Sequence, residues 1–569
     1  ASHGYADGCI YGHALEGNYH FILNQSFKES KEVERYADMM RDVVALVKSY
    51  DGSLKAEHGT GRNMAPFVKD EWGEDAFRIM QELKDIFDPE HLLNPGVIFN
   101  DDPNCFIEHL KQLPKLDFDF DHLPDGVKYA TAMAARQSST QEMIEGVRRA
   151  NKCIECGFCE VNCLSCGLTL SSRMRIASQR EIMRLKSTGN PEDMRHARRL
   201  EKLYRYYGNQ TCAADGLCAT SCPMKINTGD LTHLLRQNIM DDSPAAYKVG
   251  DFAAKHMRGI ENVVRRVLDV ANLAHTVLGT KTMSAITQAM HKTGVPLWTP
   301  AMPKAHYLHE ELLQEAKVAG SDKSGSSDAG QSAGTEPLRF VYFPSCLNQT
   351  MGLSKGAPVK KTVVGEMVEL ARKAHYEVVF PKNMRSLCCG QIWESKGMMD
   401  IADRKTAELE RALYEASEGG KLPVLCDQSP CLHRMRKMMT RVQLYEPTEF
   451  ILKFLKPRLH FHQLHRTVAV HTTCSMREMG LMDDLIELAS LCADKVIVPE
   501  GVGCCGFAGD RGFIHPEMNR YALRHLREEI EANHVEVGYS NSRTCEIGLQ
   551  YHSGIPYMSI AYLVNEATD

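Results

Sequence analysis

Twenty cysteines, most of them at short repeated spacings, constrain this 569-residue chain more than any other feature. Gaps of two or three residues bring several thiols within reach of one inorganic centre, and a chain this long buries enough core to need no disulfide staples. Metal thiolates in a reducing interior are therefore expected, in place of the disulfide framework of a short secreted domain. The rest of the composition, 43% hydrophobic and 25% charged, excludes both wholesale disorder and a membrane-embedded fold. The most apolar stretch, Val263 to Pro300, is interrupted by Arg265, Arg266, Asp269, Lys281 and Lys292, so no spanning helix is expected and any membrane contact is peripheral. A net charge of −6 exerts no general pull on nucleic acid, and the basic stretch from Arg173 to Arg205 is only local. No nucleic-acid partner is expected. The expected location is the cytoplasm, with at most a peripheral contact at the inner face of the membrane.

Residues 1–100 read as mixed α/β. Val33, Tyr36, Met40, Val43, Val44 and Val47 recur at helical spacing over Lys31 to Tyr50, as do Trp72, Phe77, Met80, Leu83 and Phe87 over Glu71 to Phe87; both segments are predicted to be core-facing amphipathic helices. Asp88-Pro89 and Asn94-Pro95-Gly96 stop the second. A connector over 101–140 leads to a mostly helical region, 141–318, interrupted by two cysteine clusters, and the Gly/Ser-rich stretch 319–337 reads as a flexible linker. Beyond it the chain repeats itself in two units, 338–457 and 466–569. In each, a strand-like run ends in a lone cysteine (Cys346, Cys474), a second precedes Cys-Cys-Gly (388–390, 504–506), and a third leads to a late cysteine (Cys431, Cys545). This is a duplicated α/β unit whose halves face one another. The chain opens at Ala1 and runs almost at once into a dense motif, so a fragment of a longer protein is expected.

Cys153-x2-Cys156-x2-Cys159-x3-Cys163 is the bacterial ferredoxin run. Zinc sites use well-separated ligand pairs, and the closely spaced triplet suits an iron–sulfur cube better. The companion run Cys212-x2-Asp215-x2-Cys218-x3-Cys222-Pro223 keeps the frame but has Asp for the second cysteine. In two-cluster ferredoxins the fourth cysteine of each run ligates the other cluster. One cluster is thus expected on Cys153, Cys156, Cys159 and Cys222, and the other on Cys163, Cys212 and Cys218. The second is either a three-iron cluster or a four-iron one completed by Asp215; Cys166 is a spare thiolate that could substitute, and Asp215 as a turn residue is the bland alternative. The repeated units offer Cys346, Cys388, Cys389 and Cys431, then Cys474, Cys504, Cys505 and Cys545. Neighbouring side chains on a strand face opposite ways, so the glycine after each Cys-Cys pair must turn the backbone. Zinc or a structural thiol nest is the alternative here. Cys9, Cys105, Cys166, Cys426 and Cys492 are by default small buried hydrophobes.

These repeated cysteines resemble the "CCG" domains of heterodisulfide reductase and of the iron–sulfur subunits of glycolate oxidase and anaerobic glycerol-3-phosphate dehydrogenase. The likeness departs at the usual closing Cys-x2-Cys, whose first position is Gln428 in one unit and Ser542 in the other. That departure argues against an unusual two-part cluster and leaves four thiolates for an ordinary one.

At the N-terminus, a two-residue turn at Glu16-Gly17 in Gly12-His13-Ala14-Leu15-Glu16-Gly17-Asn18-Tyr19-His20 would set His13 opposite His20, ~5 Å apart. Two neutral imidazoles at that separation can share a zinc- or manganese-type ion, with Glu57 of Glu57-His58-Gly59-Thr60-Gly61 completing the set. Arg62 is either a carboxylate anchor or a structural arginine. The constellation resembles the C-terminal part of the FAD-linked oxidases of the D-lactate and D-2-hydroxyglutarate dehydrogenase group, through G-H-x-x-x-G-N-x-H, E-H-G-x-G and the F-D-P…L-N-P-G ending at Gly96. That resemblance implies metal ligation by His13, His20 and Glu57, proton abstraction by His58, and Asn18 and Asn94 near the flavin or substrate.

The whole order is similar to the fused FAD- and iron–sulfur-binding D-2-hydroxy acid dehydrogenases. The expected fold is multidomain α+β: an FAD-linked oxidase C-terminal segment, an α-helical two-cluster ferredoxin domain and a duplicated α/β CCG domain. The resemblance implies oxidation of a D-2-hydroxy acid (D-lactate or D-2-hydroxyglutarate) to the 2-oxo acid. It further implies FAD bound with an upstream domain, and electrons leaving through the clusters to a quinone or cytochrome. The alternative is an iron–sulfur electron-transfer subunit without catalysis of its own.

Overall fold

The computed structural model describes residues 2–5, 8–23, 25, 27, 29–55, 57–110, 114–116, 118, 139–308 and 338–569. The expected linker and most of the connector lie outside them. The chain divides into two compact units, Ala1–Lys115 and Leu116–Asp569.

In the first unit, strands β1 (Cys9–His13) and β2 (Asn18–Ile22) form an antiparallel hairpin. Its register corrects the expectation: His13 lies opposite Asn18, and His20 opposite Tyr11. The turn is four residues long because the His13 carbonyl accepts from both Glu16 N and Gly17 N, with Gly17 in the left-handed region at φ 68°. A shift of two residues preserves the face of a strand, where a shift of one would invert it. His13 and His20 therefore still project on one side, as diagonal neighbours.

Helix α1 (Ser30–Ser49) buries Met40 and Val44 and half-buries Val33, Tyr36, Val43 and Val47, packing against Met64, Phe67 and Phe106. Helix α2 (Val68–Phe87) does not follow its expectation. Its backbone leaves helical geometry at Gly73 (φ 78°), and Trp72, Leu83 and Phe87 are exposed, Phe87 by 82%. An apolar stripe specifies that a face favours burial but not which element covers it; here Phe77 packs edge to face on Phe99 and Met80 is half-buried, while the rest stays exposed. Both helices end where the turn residues require, α2 at Asp88, whose carboxylate accepts from the N–H groups of Leu92 and Leu93.

The second unit opens with helices. α3 (Ser139–Ala150), α4 (Ser172–Ser187) and α6 (Thr228–Asp241) pack around Met143, Val147, Ile176, Leu231 and Leu234, and α5 (Pro191–Tyr204) packs on α4. Side chains of Ser171, Asn190 and Asn227 cap the starts of α4, α5 and α6, and both ferredoxin-type runs occupy the loops between helices. α7 (Pro244–Lys255) leads into α8 (Met257–His291), which breaks at Gly279 (φ 75°). Among the described residues no helix is long and apolar enough to cross a membrane.

The duplicated part contains two four-stranded parallel sheets, preceded by β3 (Pro303–Ala305), which pairs antiparallel with β5 (Met351–Ser354). The first sheet comprises β4 (Leu338–Phe343), β6 (Tyr376–Val379), β7 (Val424–Cys426) and β8 (Leu444–Tyr445), in the order β6-β4-β7-β8. The second comprises β9 (Leu464–Val470), β10 (Ala493–Ile497), β11 (Val537–Tyr539) and β12 (Tyr557–Met558), in the order β10-β9-β11-β12. The two orders are the same, and all these pairings are parallel. Phe340, Tyr342 and Phe450 from one half share a core with Val468, Val470, Tyr539 and Leu563 from the other. In each half the first strand is central, so the connections leave it in opposite directions and open a crevice at the carboxyl ends of the strands.

Candidate metal centres

The first centre lies in the N-terminal unit. Nε2 of His20 and Nε2 of His13 stand 2.8 and 3.2 Å from the same Glu57 oxygen. Among the described residues these are the three potential metal-binding groups whose ligand atoms all lie within 4.8 Å of one another. The His58 ring lies 5.2 Å from the His20 ring, edge to face. Tyr11, the true cross-strand partner of His20, stacks on it at 5.3 Å and 8°; the sequence reading missed this residue because it assumed the shorter turn. Asn18 accepts from the His13 backbone N–H and donates towards Glu57 at 3.4 Å, so it orders the cluster. Asn94, in the left-handed region, sits on a loop tied to the Gly59–Arg62 segment: Ile98 N donates to Gly61 O, and Arg62 donates twice to Pro95 O. Arg62 is thus structural. Desolvation is the largest single influence on Glu57 and opposes its ionisation, but the hydrogen bond from His20 and the nearness of His13, His20 and His58 together outweigh it and hold the carboxyl below the usual range. An anionic carboxylate with two imidazoles is a donor set that suits a zinc- or manganese-type ion.

The ferredoxin-type loops bring the expected thiols together. Cys163, Cys212 and Cys218 line a small cavity whose wall also includes Asp215 and Arg175. Cys166 is not among the lining residues. Asp215 fills two roles, accepting from Leu217 N in a turn and hydrogen-bonding Cys504 of the second repeat; burial pushes its carboxyl up. In the other loop, Cys159 interacts electrostatically with both Cys222 and Cys163, and Cys153 and Cys222 both pack against one apolar cluster.

In the repeats, each cysteine follows the carboxyl end of one of the three strands that flank the crevice. Cys346 and Cys474 follow β4 and β9, Cys388–Cys389 and Cys504–Cys505 follow β6 and β10, and Cys431 and Cys545 follow β7 and β11. Cys388 hydrogen-bonds both Cys346 and Cys389, which together hold its thiol well below the ordinary value. Cys389 in turn contacts Cys431. In the second repeat Cys504 contacts Cys474, and Cys505 lies 3.2 Å from Cys545, sulfur to sulfur. Gly390 (φ 92°) and Gly506 (φ 73°) turn the backbone after each pair, and a Cβ there would come within 2.4 Å of Ala402 O or 2.6 Å of Met518 O. Tetrahedral zinc thiolates lie ~3.8 Å apart, as follows from Zn–S ≈ 2.3 Å. Among the described residues no three cysteine sulfurs lie within 4.8 Å of one another. Of the unassigned cysteines, Cys426 and Cys492 are fully buried as expected, whereas Cys105 and Cys166 are only partly so. The side chain of Cys9 lies outside the described residues.

Residues 1–98 match the family described as FAD linked oxidases, C-terminal domain. Residues 149–226 match the 4Fe-4S dicluster domain, and 340–436 and 468–550 match the cysteine-rich domain. The chain joins an FAD-linked oxidase C-terminal domain to a 4Fe-4S dicluster domain and a duplicated cysteine-rich domain. FAD and iron–sulfur clusters are the cofactors of such domains. The chain is similar to the glycolate oxidase subunit GlcD of Bacillus subtilis, 31% identical over 94 residues, 16% of this chain and 20% of that protein. It is also similar to the mitochondrial D-lactate dehydrogenase [cytochrome] of Kluyveromyces lactis, 34% identical over 95 residues, 17% of this chain and 16% of that protein. A D-lactate dehydrogenase of Anaerostipes hadrus is 33% identical over 89 residues, 16% of this chain and 19% of that protein. The chain thus spans at most about a fifth of the length of these curated relatives.

The residues that sequence reasoning missed are buried cations around the thiolates. Arg175, 1% exposed, donates to Gly208 O, Ser165 Oγ and Thr211 O and reaches Cys163 Sγ at 3.6 Å. Arg180 holds Cys153 O and Asn151 O, and Arg236 holds Cys212 O and Asn209. Burial alone would push the Cys212 thiol up, but Arg175 and Arg236 outweigh it and bring the thiol below its ordinary value. A signal existed: arginines recur among Met and Ile immediately after the first cysteine run, a pattern weighed above only for nucleic acid.

Proposed function

We propose that this chain is the C-terminal part of a flavin- and iron–sulfur-dependent dehydrogenase that oxidises a D-2-hydroxy acid, of the D-lactate or D-2-hydroxyglutarate class, to the 2-oxo acid. The observation that carries this reading is the convergence of His13, His20 and Glu57, with His58 beside them, in the unit that matches the FAD-linked oxidases. A zinc- or manganese-type ion bound by those three residues supplies a Lewis acid for the substrate's hydroxyl and carboxylate oxygens, FAD held with an upstream domain supplies the hydride acceptor, and the clusters supply one-electron carriers.

The chain's own residues do the rest. Glu57 neutralises the charge gathered at the site, and Asn18 fixes the hairpin so that both imidazoles face it. His58 accepts the 2-hydroxyl proton on a ring nitrogen while C2 gives up hydride. Asn18 and Asn94 border the substrate and flavin side. Cys153, Cys156, Cys159 and Cys222 hold one cluster; Cys163, Cys212 and Cys218 hold another, either a three-iron cluster or one completed by Asp215. The two CCG sets hold further clusters. Electrons pass to a quinone or cytochrome, in the cytoplasm or at the inner face of the membrane.

Co-expression with an upstream flavin-binding domain tests the reading. Dye-linked oxidation of D-lactate or D-2-hydroxyglutarate is expected, and His58→Ala is expected to abolish it. Reducible clusters with no turnover of either acid in the completed protein would leave an electron-transfer subunit instead.

A further inference from the structure

Between the ferredoxin-type helices and both cysteine-rich halves, all within the second unit, lies a second cavity of about 100 Å³. It shares Ala214, Asp215, Gly216 and Asn227 with the cavity of Cys163, Cys212 and Cys218, and its far wall includes Cys474 of the second repeat. The cavity therefore touches two candidate redox centres at once.

Its basic side chains Arg434, Lys437 and His433 are already paired, and the carboxyls of Asp215 and Asp230 also line it. Arg434 is paired with Glu394 and Asp403, Lys437 with Glu142 at 3.2 Å, and His433 with Glu478 at 3.0 Å. An anionic ligand would have to break one of these pairs, which disfavours it. One polar atom stands apart: Nε2 of His233 is buried and has no hydrogen-bond partner. Such an atom costs free energy unless a ligand or water satisfies it. Desolvation lowers this imidazole to about 4 and raises the neighbouring Asp230 carboxyl to about 7, so near neutral pH the imidazole is uncharged and Asp230 can exchange a proton.

We propose that this cavity binds the head group of a quinone and is where electrons leave the chain, with His233 hydrogen-bonding one quinone carbonyl. Two electrons arrive singly from the adjoining reduced iron–sulfur centres, and two protons come from the hydrogen-bonding lining and are replaced from solvent. Both carbonyls become hydroxyls, and the centres are reoxidised. The proposal deepens the reading above in that it needs clusters on the thiolate sets, but it does not depend on the hydroxy acid.

The test uses the full cluster-loaded chain, reduced anaerobically with dithionite, so that 2-hydroxy-acid oxidation plays no part. A photoreactive azidoquinone should label peptides from Thr228–Asp241 or Ser429–Met438, and excess ubiquinone-1 should suppress the labelling. In stopped-flow measurements, His233→Leu should slow reoxidation by ubiquinone-1 roughly tenfold or more, the loss of one hydrogen bond, while reoxidation by ferricyanide stays unchanged. His233→Gln, which keeps a donor, should recover most of the rate. Labelling elsewhere, ubiquinone-1 kinetics unaffected by either substitution, or equal slowing with ferricyanide would each overturn the proposal. The labelling of the unsubstituted chain decides the matter even if a variant fails to fold.

Discussion

Gln428 donates a hydrogen bond from Nε2 to Oγ of Ser542 at 3.0 Å, joining residues 114 positions apart. These are the two positions at which the repeats lack the first cysteine of the closing Cys-x2-Cys. Gln428 also accepts from Arg543 N through Oε1, and both side chains are buried. The positions that departed from the cysteine pattern became the polar seam between the two halves. Gln428→Ala would leave the buried Arg543 N–H without this partner and remove one of the hydrogen bonds of the Ser542 hydroxyl, which also bonds Cys545. A loss of about 1–3 kcal/mol in stability is expected, measurable by urea unfolding followed by circular dichroism.

The crossed assignment of the ferredoxin-type thiolates makes a specific statement about pairs. Cys153→Ser and Cys222→Ser should remove the same cluster, although the residues belong to different runs, and Cys163→Ser should instead match Cys212→Ser and Cys218→Ser. Iron content and paramagnetic resonance of the four-iron and three-iron signals check this. Grouping by run would contradict it.

Arg175 is buried against Cys163 and supplies charge and hydrogen bonds to that cavity. Replacing it with Gln should lower the reduction potential of that centre by on the order of 50–100 mV, the equivalent of one charge-assisted hydrogen bond. The centre on Cys153, Cys156, Cys159 and Cys222 should hardly change, and a redox titration followed by resonance would separate the two.

The proposed metal site at the hairpin would rest on His13, His20 and Glu57. His20→Ala or Glu57→Gln should weaken zinc or manganese binding by more than the ~100-fold that loss of a supporting contact costs, as read by titration calorimetry. Tyr11→Ala removes only the ring stacked on His20 and should weaken binding far less.

Asp88 predicts a pH effect on stability. The hydrogen bond from Lys84, aided by the N–H groups of Leu93 and Leu92, holds its carboxyl at about 2, against 3.8 when unperturbed. A depressed pKa in the folded state contributes stability that is fully present above the unfolded value and is lost as pH falls towards the folded one. The N-terminal unit should therefore weaken between about pH 4 and pH 2, and Asp88→Asn should flatten that part of the profile in thermal melts.

The hairpin illustrates where sequence reasoning stops. The alternation of His13 and His20 was legible, and so was their shared face; the turn length was not, because a two-residue and a four-residue loop keep the same parity. Helix α2 was legible as an amphipathic segment, but its apolar stripe said nothing of what would cover Trp72 or Phe87. The repeats were visible in their cysteines alone, whereas the common strand order and the shared core around Phe340, Val470 and Tyr539 emerged only from the fold.

The chain by itself determined the inventory of ligands, because thiolate, imidazole and carboxylate spacing within a loop is a local matter of a few residues. It also determined the number of cysteine-rich halves and the glycines that let paired cysteines turn. The tertiary structure decided which groups meet: Glu57 with a hairpin 37 residues earlier, Asp215 with Cys504, Gln428 with Ser542, and three arginines with the backbone around the clusters. Those meetings join segments distant in the chain. Their energies depend on burial, which raises the cost of an unpaired charge and the worth of a paired one, and burial is a property of the folded molecule.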